Sequence, residues 1–147
     1  MQESQIVTWS KKASFFCHVL AILPLLIGGL VYALRDTYLP YHAAATSHDW
    51  QTLEPGVQVL FKAMLNGAGG LMLLTSFILI VLLIIPFRQN ERWSFWAIPL
   101  IGISAMLITI RAAVFVDVNT PANPPWLALL IVITLFISGF FLSYKKS

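Results

Sequence analysis

The chain has 147 residues, of which 59% are hydrophobic and only 10% charged; that is roughly half the charge of an average soluble domain and marks a membrane protein. A bilayer-crossing helix takes about 20 apolar residues, so several spans fit and a separate soluble domain does not. The net charge of +3 follows from the topology described below and gives no reason to expect nucleic acid as a partner.

The first apolar run, 13–34, follows Lys11 and Lys12. It is longer than a signal-peptide core and lacks a small-x-small cleavage site, so it reads as a retained span. Cys17 is the single cysteine and has no intrachain partner, and the adjacent pair Cys17-His18 lacks zinc spacing. His18 has no second intramembrane histidine with which to sandwich a haem. Pro24 is expected to kink this helix.

The connection that follows, "RDTYLPYHAAATSHDWQTLEP", is about twenty residues, long enough to be a cap or a functional loop. Ser47 or Asp49 is placed to cap a short interfacial helix running through Trp50 and Leu53. His42, His48 and Asp49 are residue types that zinc or copper accepts, but their spacing matches no established metal pattern, and no metal site is assigned.

The second run, 57–86, has Pro55 in its first turn and is led by "EPGVQVLFKAMLNGAGG". Glu54, Gln58, Lys62 and Asn66 recur every four residues, close to one helical turn, and so line one face. Pro86 and "RQNER" make a short turn, which predicts that the second and third helices are antiparallel neighbours. The third run is 93–116, with Pro99 near its start. "NPPW" then offers Asn123 as an N-cap with proline in the first turn of the fourth run, 125–143.

None of these runs alternates apolar and polar residues as barrel strands do, so the expected fold is all-α, a four-helix transmembrane bundle. Lys11, Lys12, Arg88, Arg92, Lys145 and Lys146 fall on one side of it, with Arg35, Lys62 and Arg111 on or near the other. The positive-inside bias therefore predicts that both termini are cytoplasmic. Small residues (Gly28 and Gly29; Ala63, Gly67 and Gly70; Gly102 and Ala105) mark where helices are expected to approach closely.

Counting about 20 residues from the cytoplasmic ends brings Arg35, Lys62 and Arg111 to one depth, at the outer boundary. One reading is structural: the cations snorkel to phosphates, with Asp36, Glu54 or Asp117 as counter-ions. The other is an outer-leaflet pocket for an amphipathic or anionic small molecule or a lipid. In that reading Arg35, Lys62 and Arg111 hold the anionic head, Gln58 and Asn66 orient it, and Tyr38, Tyr41 and Trp50 roof the site. Glu54, His42 and Asp117 complete the candidate ligand-binding set as the titratable groups at that rim. No catalytic motif is present: there is no serine elbow, H-E-x-x-H, phosphate loop or dinucleotide fingerprint.

The segments "ALRDTYLPYHAAA", "LEPGVQVL" and "NPPW" resemble small uncharacterised bacterial inner-membrane proteins of similar length and four-span plan. The general plan is also similar to the DoxX-like group. The resemblance implies a multi-pass protein of the bacterial inner (plasma) membrane; it brings no activity, cofactor or site residue. The expected function is binding of an amphipathic or anionic molecule in the outer-leaflet pocket, with membrane lipids as partners and a homo-oligomer or larger complex as the assembly. The alternatives are an accessory or assembly subunit of a larger membrane complex and a small membrane enzyme.

Overall fold

The computed structural model describes residues 2–144, with side chains described for residues 10–143. Lys145 and Lys146, and the side chain of Glu3, lie outside that range. The described elements are α1 (Gln2–Leu34), α2 (Pro40–Thr46), a 3-10 turn (Trp50–Thr52), α3 (Pro55–Ile84), α4 (Arg92–Asn119) and α5 (Trp126–Tyr144). Four of them are long and apolar enough to cross a membrane, over Ser10–Leu34, Pro55–Ile84, Arg92–Asn119 and Trp126–Ser143. The fold is thus an all-helical four-span bundle. α3 has 30 residues and is about 45 Å long at 1.5 Å per residue, so part of it projects beyond a hydrocarbon core of about 30 Å.

α1 packs mainly on α3 and α5, α4 packs on α5 and less on α3, and α1 barely meets α4. The helices therefore form a ring in the order α1, α3, α4, α5, with every neighbour antiparallel. One end carries the termini and the α3–α4 turn; the other carries α2 and the long connection. The core joins Ile22, Leu25, Leu79, Leu83, Phe87, Phe95, Ile98, Met106, Val132 and Phe136. Buried positions on α4 stop at Met106, so its loop-end half stands away from the core. Large exposed apolar side chains such as Leu71, Phe77, Ile108 and Phe141 would be a liability in water but match a lipid environment.

Glycines set the closest approaches. A Cβ on Gly69 would stand 2.4 Å from the Ala33 nitrogen and 2.8 Å from the Gly29 carbonyl oxygen, so here the backbones of α1 and α3 touch. Gly102 receives the ring of Phe136, and Gly139 receives the ring of His18. Gly28 and Gly29 meet Met72 and Leu73 of α3, as expected from the sequence, but Gly67 and Gly70 face open space and Ala63 is exposed. The reason is rotational: the seam runs through Asn66, Gly69, Leu73 and Ser76 at three- and four-residue steps, and each next residue points about 100° away.

Local signals also resolved differently in places. Pro55 opens α3 as expected, while α5 starts at Trp126, so Asn123 lies outside it and does not cap it. Asp49 precedes the 3-10 turn without a side-chain cap bond. Ser47 instead ends α2 in the left-handed conformation, at φ 56°. α2, "PYHAAAT", was not expected from the sequence, although a proline at its first helical position and its three alanines carried the signal. Pro24 and Pro99 sit inside unbroken helices.

Candidate functional site

The loop end is a self-satisfied aromatic cap. Tyr38 is buried, donates its hydroxyl to the His48 carbonyl, and meets Trp50 edge-on at 5.0 Å and Phe61 at 5.8 Å. The hydroxyls of Tyr32 and Tyr41 share a hydrogen bond, and burial together with that bond pushes the Tyr41 phenol up from its ordinary range. The expected polar stripe turns inward only in part. Gln58 Nε2 donates to the carbonyls of Trp50 (2.8 Å) and Leu53 (3.1 Å), pinning the loop to α3. Asn66 Oδ1 is buried without a hydrogen-bond partner among the described residues. Glu54, at the N-cap of α3, is exposed. Steps of four overshoot a 3.6-residue turn by about 40° each, so Glu54 ends up well around the helix from Asn66.

Lys62 donates to Asp36 Oδ1 at 2.6 Å, the one ion pair among the described residues. The lysine hydrogen bond and its charge hold the Asp36 carboxyl below its usual range, yet both side chains are largely solvated, 47% and 85% exposed, so the pair contributes little to stability. Arg111 and Arg35 line two separate hollows. Arg111 lies in an open groove lined by its own helix, with Ile108, Ala112, Val114, Phe115 and Val118. Arg35 lies in a shallow hollow with Leu30, Val31 and Leu34. Asp117, half-buried, is six residues beyond Arg111 on α4.

His42 Nδ1 accepts the Leu39 backbone N–H at 3.1 Å, capping α2. Burial, reinforced by the Arg35 charge, holds this imidazole below its ordinary 6.5. The unfolded chain therefore binds the proton more readily, so this contribution to stability is complete above pH 6.5 and is lost as pH falls through the lower folded value. Protonated Nδ1 can no longer accept, so amide protection at Leu39, corrected for intrinsic exchange, should drop as pH falls below 6.5 through the lowered folded value. Protection that stays constant down to the pH at which the whole protein unfolds would show that the cap does not titrate.

The terminal end holds a different constellation. Lys11, Lys12 and Phe15 of α1, Phe87, Arg88 and Asn90 of the α3–α4 turn, and Phe95 of α4 line an open pocket of about 510 Å³. Lys11 Nζ donates to Asn90 Oδ1 at 2.6 Å. Asn90 is left-handed, at φ 63°, within a turn closed by Phe87 N–H to Leu82 O and Glu91 N–H to Pro86 O, and this geometry presents Phe87 and Arg88 to α1. Phe87 packs edge-on against Phe95 at 5.3 Å and tilted against Phe15 at 6.3 Å. Among the described residues no carboxylate lines the pocket, and its three cations form no ion pair. Read along the chain, these cations only set the topology; the available signal was an aromatic beside each basic group, Phe15 after Lys11-Lys12 and Phe87 before Arg88.

Behind Phe87 lies His18, 0% exposed, with neither ring nitrogen hydrogen-bonded among the described residues. One turn nearer the terminus, Ser14 Oγ donates to the Gly139 carbonyl at 2.6 Å, and Ser10 Oγ donates to that of Leu142 at 2.5 Å. Among the described residues, no group of three His, Cys, Asp or Glu gathers as a metal site. Comparison with protein-family models, curated proteins and solved structures finds no match for this chain.

Proposed function

We propose that this chain is a multi-pass protein of the bacterial inner membrane, termini in the cytoplasm, that binds a lipid or another amphipathic anion by its head at the terminal-end pocket. The observation that carries this reading is the joining of Lys11, Lys12 and Arg88 with Phe15, Phe87 and Phe95 around one opening that no acid among the described residues lines. A positive-inside bias accounts for basic residues on that side but not for an aromatic concavity among them. The ligand class is the one expected from the sequence, placed here at the end opposite to Arg35, Lys62 and Arg111. Labelling of single cysteines in the α2 loop from outside the cell, and not from inside, checks the orientation.

Basic residues near an anionic membrane surface contribute about 1 kcal/mol each, so Lys11→Gln, Lys12→Gln and Arg88→Gln together should weaken binding by about 3 kcal/mol, roughly 100-fold. Native mass spectrometry in mild detergent reads this directly, by titrating phosphatidylglycerol and, as a neutral-headed control, phosphatidylcholine. Arg111→Gln should leave binding unchanged. Equal phosphatidylglycerol occupancy in wild type and the triple variant, both folded, would reject the pocket; a loss confined to Arg111→Gln would return the site to the loop end.

A second reading, an accessory subunit, is favoured by the uncovered small-residue face of α3, where Gly67 and Gly70 have nothing in contact. A co-purifying chain in the same spectra would support it.

A further inference from the structure

His18 stands out as a polar group placed at cost. Its ring is fully buried and its two nitrogens, one a donor and one an acceptor in neutral imidazole, meet no partner among the described residues. Buried polar groups in folded proteins are almost always paired, and an exception calls for a cause. The surrounding helices are shaped around this ring. A Cβ at Gly139 would lie 2.6 Å from its Cε1 and 2.9 Å from each nitrogen, so the nitrogen-bearing end of the imidazole fills the space the glycine leaves. Phe136 flanks it at 6.0 Å and is itself seated over Gly102.

One side chain touches both His18 and the basic pocket. Phe87 packs edge-on against the imidazole at 5.7 Å and also lines the pocket. It belongs to the turn and not to a helix, and its ring is only 6% exposed. Lys11, Phe15 and His18 follow one another at steps of four and three, so they share a face of α1. Seven residues place His18 about 10 Å deeper than Lys11 along the helix. A molecule whose head is held by the cations reaches the His18 ring only if the Phe87 ring turns aside.

This inference rests on the pocket reading above. We infer that His18 is a ligand contact whose ring N–H donates to an ester carbonyl of a phosphoglyceride, the phosphate of which is held by Lys11, Lys12 and Arg88. The ester carbonyls of such a lipid lie a few bonds inward of its phosphate, the order in which the two sites are met. A cationic pocket alone accepts any amphipathic anion; His18 adds a preference for one carrying a hydrogen-bond acceptor beneath its head.

The test separates the two claims. The delipidated full-length protein is titrated with ester-linked phosphatidylglycerol and with its ether-linked counterpart of equal chain length, which keeps the charge and removes the carbonyls. Wild type should bind the ester lipid about three- to tenfold more tightly, the range of one net hydrogen bond. His18→Phe, which keeps a ring and removes the donor, should bind both lipids alike. Equal binding of ester and ether lipids by wild type overturns the His18 contact while leaving the basic pocket standing, and this comparison needs no variant to fold. No binding of either lipid by wild type overturns both claims. An ester preference that persists in folded His18→Phe assigns the carbonyl to another donor and also overturns the contact.

Discussion

Gly69→Ala should lower the unfolding free energy by about 2 kcal/mol, within the range for overpacking a tight interface, while Gly67→Ala and Gly70→Ala should be neutral or stabilising by about 0.5–1 kcal/mol through helix propensity. All three lie within one turn of α3, so propensity alone predicts the same result at each. Only at Gly69 would the new methyl meet backbone, with the Ala33 nitrogen 2.4 Å away and the Tyr32 carbonyl carbon and Gly29 oxygen each 2.8 Å away. Backbone cannot step aside as a side-chain tip can, so α1 and α3 must separate along their seam. In a bilayer, that separation forfeits van der Waals packing and not a hydrophobic transfer term, because lipid tails are as apolar as the core. Thermal or denaturant unfolding in one detergent reads the difference, and equal stability of Gly69→Ala and Gly70→Ala would mean that the helices do not touch there.

Phe136→Ala should cost about 3 kcal/mol, the low end for a buried phenylalanine, because the hydrophobic transfer term is largely missing in lipid. Phe136 is fully buried and its ring fills the notch at Gly102, where a Cβ would stand 2.3 Å from Cζ. Gly102→Ala should therefore cost about 1–3 kcal/mol by pushing a ring that has nowhere to go. The two effects are coupled: adding Phe136→Leu to Gly102→Ala should recover at least about 1 kcal/mol relative to the sum of the single changes. Strict additivity in that cycle would show that the α4–α5 contact is not made at this notch. Because Phe136 also flanks His18, the phenylalanine variants should be tested for lipid binding as well as stability.

The four spans, their helical character and the end of the bundle on which each described charge falls could be read along the chain. They depend on local quantities: the length of an apolar run, the turn at Pro86, the proline opening α3. The inward stripe was legible only in part. Gln58 does hold the loop and Lys62 does find an acid, because helical spacing fixes which residues share a face. Depth along a helix is likewise a matter of counting, so Arg35, Lys62 and Arg111 could be assigned to one end. Whether they meet depends on how each helix is rotated about its axis and on the order of helices around the ring, and no local pattern encodes either. The same dependence hid the contact glycine, since Gly69 and Gly70 look alike until a neighbouring backbone is present. It also hid the terminal pocket, whose lining comes from α1, the α3–α4 turn and α4, segments roughly 70 residues apart in places. His18 stood in the sequence as a single histidine near a basic pair; only the packing of Phe87, Phe136 and Gly139 around it removed water from its ring and left its nitrogens without partners, because burial is a property of the assembled bundle.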